Sequence, residues 1–341
     1  MGLNKESGIK IGRGTPGARN LITDVPGVKV GHVTIRDGAD INTGVTAILP
    51  HEGNLFQEKV MASSCVINGF GKTMGLVQVE ELGTIETPII MTNTLSIGTA
   101  ATALIKYMLQ QNEDIGVKTG TVNPLVCECN DGTLNDIRGL HVKEEHVFEA
   151  LANCSEDFAE GVVGSGTGMC CLGLKGGIGS ASRIVKLDGT EYTVGALVMS
   201  NFGGAGRLLI EGRHMGQEIK DKLEAQQDKG SIIMLIATDI PLSERQLKRV
   251  ARRAAVGLAR TGSYYGNGSG DIAIAFTTAN RVPHYSKNAV MDMKMLADSK
   301  IDPVFDMAAE AVEEAIISSL YHAETTTGRA GKVKYGLRDF L

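Results

Sequence analysis

The 341 residues carry 39 acidic and 34 basic side chains, a formal net charge of -5, so the surface offers no positive field for a nucleic acid. There is no tryptophan and only 4% of residues are aromatic, which removes the stacking platforms that single-stranded bases need. Apolar residues at 43% against 21% charged supply a core and exclude disorder, and the length fits one large α/β unit as well as two domains. The opening MGLNKESGIKIGRGTPG lacks the apolar stretch of a signal peptide, and no segment reaches the roughly 18 apolar residues of a membrane span, so a cytoplasmic protein is expected. Gly2 heads a poor match to a myristoylation signal, because Glu6 stands where Ser or Thr belongs. The six cysteines lie in apolar runs and read as buried free thiols; Cys127 and Cys129 have no second pair and no histidine at zinc spacing, so no metal is expected.

In chain order, residues 20–35 read as two short strands about the Pro26-Gly27 turn, followed by a further strand over 44–50. Apolar strands follow at 61–71 and 89–94, and 96–112 has helical spacing through Ala100, Leu104 and Met108, with Ser96 as its candidate cap. A helix over 141–156 runs into 157–183, so dense in glycine that a regular helix would lose about 1 kcal/mol at each interior one; loops and edge turns are expected there. Residues 191–203 alternate like a strand that stops at Asn201-Phe202-Gly203. Residues 212–230 look like a surface excursion with a helical tract, and 231–239 like a buried strand.

Ser243 and Gln246 form a capping box ahead of a helix over 241–260. Its Lys248, Arg249, Arg252 and Arg253 make either a solvated face or a contact for carboxylates or a second subunit. That helix delivers the chain to 261–270 and a strand over 271–280, and the final helix spans 303–321 with Val304, Ala308, Val312, Ile316 and Leu320 on one stripe. Strands alternating with helices indicate a layered α/β protein.

The chemistry concentrates in GNGSGDIAIAF, residues 266–276. Gly268 lets the peptide carbonyl turn toward the Ser269 hydroxyl, and Asp271 with the buried strand behind it would anchor a newly made chain end. Attack by the hydroxyl on the preceding carbonyl gives an ester that water resolves, after which the freed serine amine sits beside its own nucleophile as a base. On the pattern alone, a plain turn into a strand and a phosphate-binding loop remain open. The loop lacks the Walker Lys and Ser/Thr, however, and GSGTGMCCLG (164–173) lacks the strand–turn–helix grammar of a dinucleotide site.

Several longer segments decide between these readings: ITDVPGVKVGHVTI, NTGVTAILPH, NGFGKTMGLVQVEELGTIETPIIMTNTLSIG, GTGMCCLGLKGGIGSASR, YTVGALVMSNFGG, NGSGDIAIAFTTAN and AETTTGRAGK. In this order, across nearly the whole chain, the sequence resembles the DmpA-like S58 peptidases, the L-aminopeptidase/D-esterases and β-peptidyl aminopeptidases. The resemblance implies a four-layer α/β/β/α sandwich and one hydrolase domain over 1–341, cut between Gly268 and Ser269 into associated pieces 1–268 and 269–341. It makes Ser269 nucleophile and base, Asn201 the oxyanion-hole amide, and Glu313 the carboxylate that orients the serine and its amine, with Ala311 where relatives carry a hydroxyl.

Asn130 stands where some relatives have Tyr near the substrate, and Asn68, Asn93 and Thr94 end apolar strands that could line the pocket. The bland readings stay open beside these: a turn-capping Asn201 and a charged helix face at Glu313. His141, His146 and His322 read as surface or packed residues, and no Ser-His-Asp triad is expected. The implied substrates are short peptides, amino-acyl amides or esters, with no cofactor and a homo-oligomer, commonly a tetramer. Two rivals remain: a ligand-binding member without catalysis, and an acyltransferase akin to the ornithine acetyltransferases, which use Thr.

Overall fold

The computed structural model describes residue 3 and residues 7–223 and 230–341; Gly2, Glu6 and the 224–229 part of the expected helical tract lie outside the described residues. The strands are β1 (Lys29–Asp37), β2 (Ile41–Leu49), β3 (Glu58–Gly69), β4 (Thr84–Ile85), β5 (Ile89–Asn93), β6 (Leu125–Cys129), the small hairpin β7 (Cys170–Cys171) and β8 (Leu174–Lys175), β9 (Gly177–Leu187), β10 (Thr190–Asn201), β11 (Gly230–Thr238), β12 (Ser269–Pro283) and a second small hairpin, β13 (Thr326–Thr327) and β14 (Val333–Lys334). The helices are α1 (Leu76–Leu82), α2 (Ile97–Gln111), α3 (Glu144–Ala152), α4 (Met215–Ile219), α5 (Glu244–Ala251), α6 (Ala254–Arg260) and α7 (Asp302–Tyr321).

Side-chain alternation sets the layers. Along β11, Ile232, Met234 and Ile236 enter one apolar cluster with Leu247, Leu258, Val304, Val312 and Ile316, while Ile233, Leu235 and Ala237 enter another with Val30, Ile48, Met91 and Cys127. A strand buried on both faces needs the unbroken apolar run that 231–239 shows. A third cluster joins Val45, Ala47, Ile90 and Val126 to Ala100, Leu104, Val147 and Leu151 of α2 and α3. The order is therefore α2/α3, a four-stranded sheet β1-β2-β5-β6, a six-stranded sheet β4-β3-β12-β11-β10-β9, and α5–α7: the four-layer α/β/β/α sandwich. Each Leu or Ile fully buried in these layers contributes about 1.5–3 kcal/mol.

Local departures from expectation have local causes. The first of the two strands about Pro26-Gly27 is instead a 3-10 turn, Ile22–Asp24. Its backbone donors go to side chains rather than to a ladder: Ile22 N–H to Ser180 Oγ at 2.8 Å, and Leu21 and Arg19 N–H to the Asp24 carboxylate. Ser96 does not cap α2; Asn93 Oδ1 accepts from Leu95 N and Ser96 N at 3.1 Å each and starts the helical turn earlier. The glycine-dense stretch contains a regular strand, β9, because its glycines admit backbone at close range: a Cβ on Gly179 would lie 2.0 Å from the Ala315 carbonyl oxygen of α7. The loop before β9 is ordered by the fully buried Lys175 ammonium, which donates to the carbonyls of Gly166, Met169 and Gly176 at 3.1, 2.7 and 2.6 Å.

The Ser243 capping box forms, with Gln246 N to Ser243 Oγ at 3.3 Å and Ser243 N to Gln246 Oε1 at 3.1 Å. The expected single helix behind it breaks at Arg252-Arg253 into α5 and α6. All six cysteines are free, and burial pushes the Cys127 thiol up to about 12.

Candidate active site

Four strand ends meet at one edge of the six-stranded sheet: the last residues of β3 and β10 and the first of β11 and β12. The register pairs Asp271 with Asn68, Ser269 with Gly230, and Ser231 with Asn201. Asn68, Ser269 and Asn201 thus lie side by side although 68 to 201 positions separate them in sequence. Gly230 makes the approach possible: its φ is +142°, and a Cβ there would stand 1.9 Å from the Asn201 carbonyl oxygen.

Ser269 is buried at the head of β12. Its peptide N–H donates to Gly266 O at 2.9 Å, closing a turn centred on Asn267 and Gly268. Asn68 holds that turn, its Nδ2 donating to Gly266 O at 3.1 Å, to Asn267 O at 3.3 Å and to Ser269 O. The Ser269 hydroxyl donates to Asp271 Oδ1 at 2.6 Å, and Asp271 is completely buried.

Asn201 is fixed from both ends of its amide. Cys170 N–H donates to Oδ1 at 2.9 Å, which identifies the other atom as Nδ2, and Nδ2 donates one hydrogen to Asn130 O at 2.9 Å. Its second amide hydrogen remains for a cleft of about 430 Å³ bordered by Asn130, Thr133, Cys170, Asn201, Gly230 and the exposed Lys332. Asn130 therefore shapes this cleft with its backbone as well as its side chain.

The other expected residues lie differently. Asn93 is buried and fully engaged, giving Nδ2 to Thr43 Oγ1 at 2.8 Å while its Oδ1 caps the turn, so it supports the site from below and does not line it. Thr94 donates to Glu128 Oε2. Glu313 sits between α6 and α7 against Arg260, 3.3 Å away, where burial raises its pKa against the opposing guanidinium; no hydrogen bond joins it to Ser269. Ala311 is buried in the apolar cluster beneath α7. Among the described residues no histidine bonds to Ser269; His322 reaches Ser318, His146 caps α3 through Lys143 N–H, and His141 lies 3.5 Å from Asp136.

The carboxylate that sequence reading missed is Glu128. It is 3% exposed, takes the Lys72 N–H at 2.9 Å on Oε1, and that oxygen and the Gly270 Cα both lie 3.6 Å from where a Cβ on Gly71 would stand. In LVCEC it is one more strand residue; a buried acid between four apolar or thiol neighbours was the available signal.

Comparison with known proteins places this arrangement. The profile of peptidase family S58 matches residues 20–334. The chain is 40% identical to the β-peptidyl aminopeptidase BapA of Sphingosinicella microcystinivorans, over 93% of this chain and 85% of the relative. It superposes on the PH0078 protein from Pyrococcus horikoshii OT3 with TM-score 0.95 and 61% identity, covering 98% of this chain and 95% of the other. It also superposes on the L-aminopeptidase D-Ala-esterase/amidase of Ochrobactrum anthropi, described as a variant of the Ntn hydrolase fold, with TM-score 0.91, 38% identity and coverage of 98% and 94%. The chain belongs to peptidase family S58 and is an enzyme, a serine aminopeptidase of the autoprocessed N-terminal-nucleophile class.

Proposed function

We propose that the chain cuts itself between Gly268 and Ser269 and that mature Ser269 then hydrolyses short peptides, amino-acyl amides or esters from their amino end. The observation that supports this reading is the turn 266–269: it holds the Gly268–Ser269 peptide at the head of β12, beside Gly230 and one strand pair from the Asn201 amide that borders the cleft. In the mature protein the Ser269 amine takes the Oγ proton, Oγ adds to the substrate carbonyl, and Asn201 Nδ2–H supports the developing oxyanion. The amine's proton then passes to the leaving nitrogen, and water releases the acyl group. Glu128, buried close to Gly270, supplies the negative charge that an incoming substrate ammonium requires.

The two pieces, of 268 and 341 − 268 = 73 residues, stay together and work within a homo-oligomer in the cytoplasm, four protomers being the expected number. Exposed Val66, Phe70, Met74, Val77 and Leu82 form an apolar surface of the kind an assembly covers, and six free thiols suit a reducing compartment. Among the described residues no helix is long and apolar enough to cross a membrane.

Intact-mass analysis tests the proposal: two masses meeting at 268/269 are expected, and Ser269→Ala is expected to remain one polypeptide without amidase activity. A single full-length species that hydrolyses amino-acyl amides would refute it. Light scattering reads the number of protomers.

A further inference from the structure

A serine in an uncut chain faces a chemical problem that the mature enzyme does not. The Ser269 nitrogen is an amide, its N–H donates to Gly266 O at 2.9 Å, and an amide nitrogen has no basic lone pair to take the hydroxyl proton. The base that serves the mature enzyme does not exist until the bond is broken.

We propose that Asp271 is the base of self-cleavage, a role taken over by the Ser269 amine once that amine is released. The inference rests on the reading that the 268–269 bond is the one cut. Asp271 Oδ1 already accepts the Ser269 Oγ–H at 2.6 Å, a length typical of a hydroxyl bonded to a carboxylate. Its side chain is completely buried, so water does not compete for that oxygen. The other carboxylates are committed elsewhere: Glu128 to Lys72 N–H and Thr94, Glu313 to Arg260.

In the first step the Oγ proton moves to Asp271 Oδ1 as Oγ bonds to the Gly268 carbonyl carbon. The tetrahedral adduct then breaks its C–N bond while Asp271 returns that proton to the Ser269 nitrogen, leaving Gly268 esterified to Oγ and a free amine. One water hydrolyses the ester, giving the Gly268 carboxylate and restoring the hydroxyl. Asn68 holds the Gly266 and Asn267 carbonyls of the turn and so positions the bond without touching the proton path.

The test follows the uncut chain by pulse synthesis and intact mass, with and without hydroxylamine. Asp271→Asn is expected to slow processing about 100-fold or more, and hydroxylamine, which captures an ester, is expected not to restore it because the ester never forms. Processing of Asp271→Asn at the wild-type rate, or its full rescue by hydroxylamine, overturns the inference. Uncut wild type, or cleavage in Ser269→Ala, instead overturns the reading beneath it.

Should Asp271→Asn fail to fold, the pH dependence of wild-type processing decides. A fall on acidification through a single ionisation is expected, and a flat profile refutes the proposal. Ionisable groups facing Asp271 include the Cys129 thiol of β6 and the Tyr265 hydroxyl of the preceding loop, both displaced upward chiefly by burial and therefore neutral in that range, and Glu128 lies near the adjacent Gly270.

Discussion

In the proposed role of oxyanion donor, Asn201 is held by Cys170 N–H on Oδ1 and gives one Nδ2 hydrogen to Asn130 O, which leaves the second for a substrate. Asn201→Ala is expected to lower kcat by about 10²–10³ with little change in KM, since the lost bond forms with the transition state; a rise in KM at unchanged kcat would contradict that role. Asp131 raises a separate question of acidity. Burial lifts its pKa to about 7, against hydrogen bonds from Thr43, Asn135 and Asn93 and from its own backbone. The folded state therefore holds this proton over a range where the unfolded chain has lost it, so the stabilisation is full below about 4 and is lost as pH rises toward 7. Urea titrations should show this slope, and Asp131→Asn should flatten it; an unchanged slope would place the ionisation elsewhere. Ser269 and Asn201 were legible as candidates because the segments around them carry the family resemblance. The pairing of Ser269 with Asp271 as proton donor and acceptor, and the nearness of Glu128, depend on hydrogen-bond geometry and strand register that no linear spacing encodes.

At the scale of elements, β9 and α7 meet backbone to backbone at Gly179. A Cβ on Gly179 would meet Ala315 O at 2.0 Å and Ser319 N at 2.5 Å, both backbone atoms that cannot swing away. Gly179→Ala is expected to destabilise the uncut Ser269→Ala chain by about 1–3 kcal/mol in denaturant titration, whereas Gly189→Ala, in open space at a turn, tests a different term, the strain of its φ of +84° alone. Equal stability for Gly179→Ala and its parent would show that the helix is free to shift. The buried strands and the capped α5 were readable because continuous apolar runs and the Ser243–Gln246 box are local signals. The strand β9 was hidden because its small residues exist for the sake of a distant helix, and the Ile22–Asp24 turn because Ser180 and Asp24 outbid the sheet for its donors.

For the molecule as a whole, the decisive feature is the place of β12 between β11 and β3, paired parallel with one and antiparallel with the other. The proposed cut at its first residue would open no edge of the sheet, and α7, which follows β12 in the chain, would stay packed on β9 and β10. The two pieces are expected to co-elute on size exclusion in native buffer and to separate only in denaturant; native separation would contradict the interlocked packing. The layered α/β class was readable from alternating strands and helices and the four-layer order from the family resemblance, while the strand order, in which β12 lies between β3 and β11, was not.

That central position makes the cut a certificate of completed folding. On the proposed mechanism the bond becomes reactive only where β3, β10, β11 and β12 have already come together, so a truncated or misassembled chain is expected to keep its serine locked in an amide. A peptidase built this way is expected to stay inert toward its neighbours throughout its own synthesis.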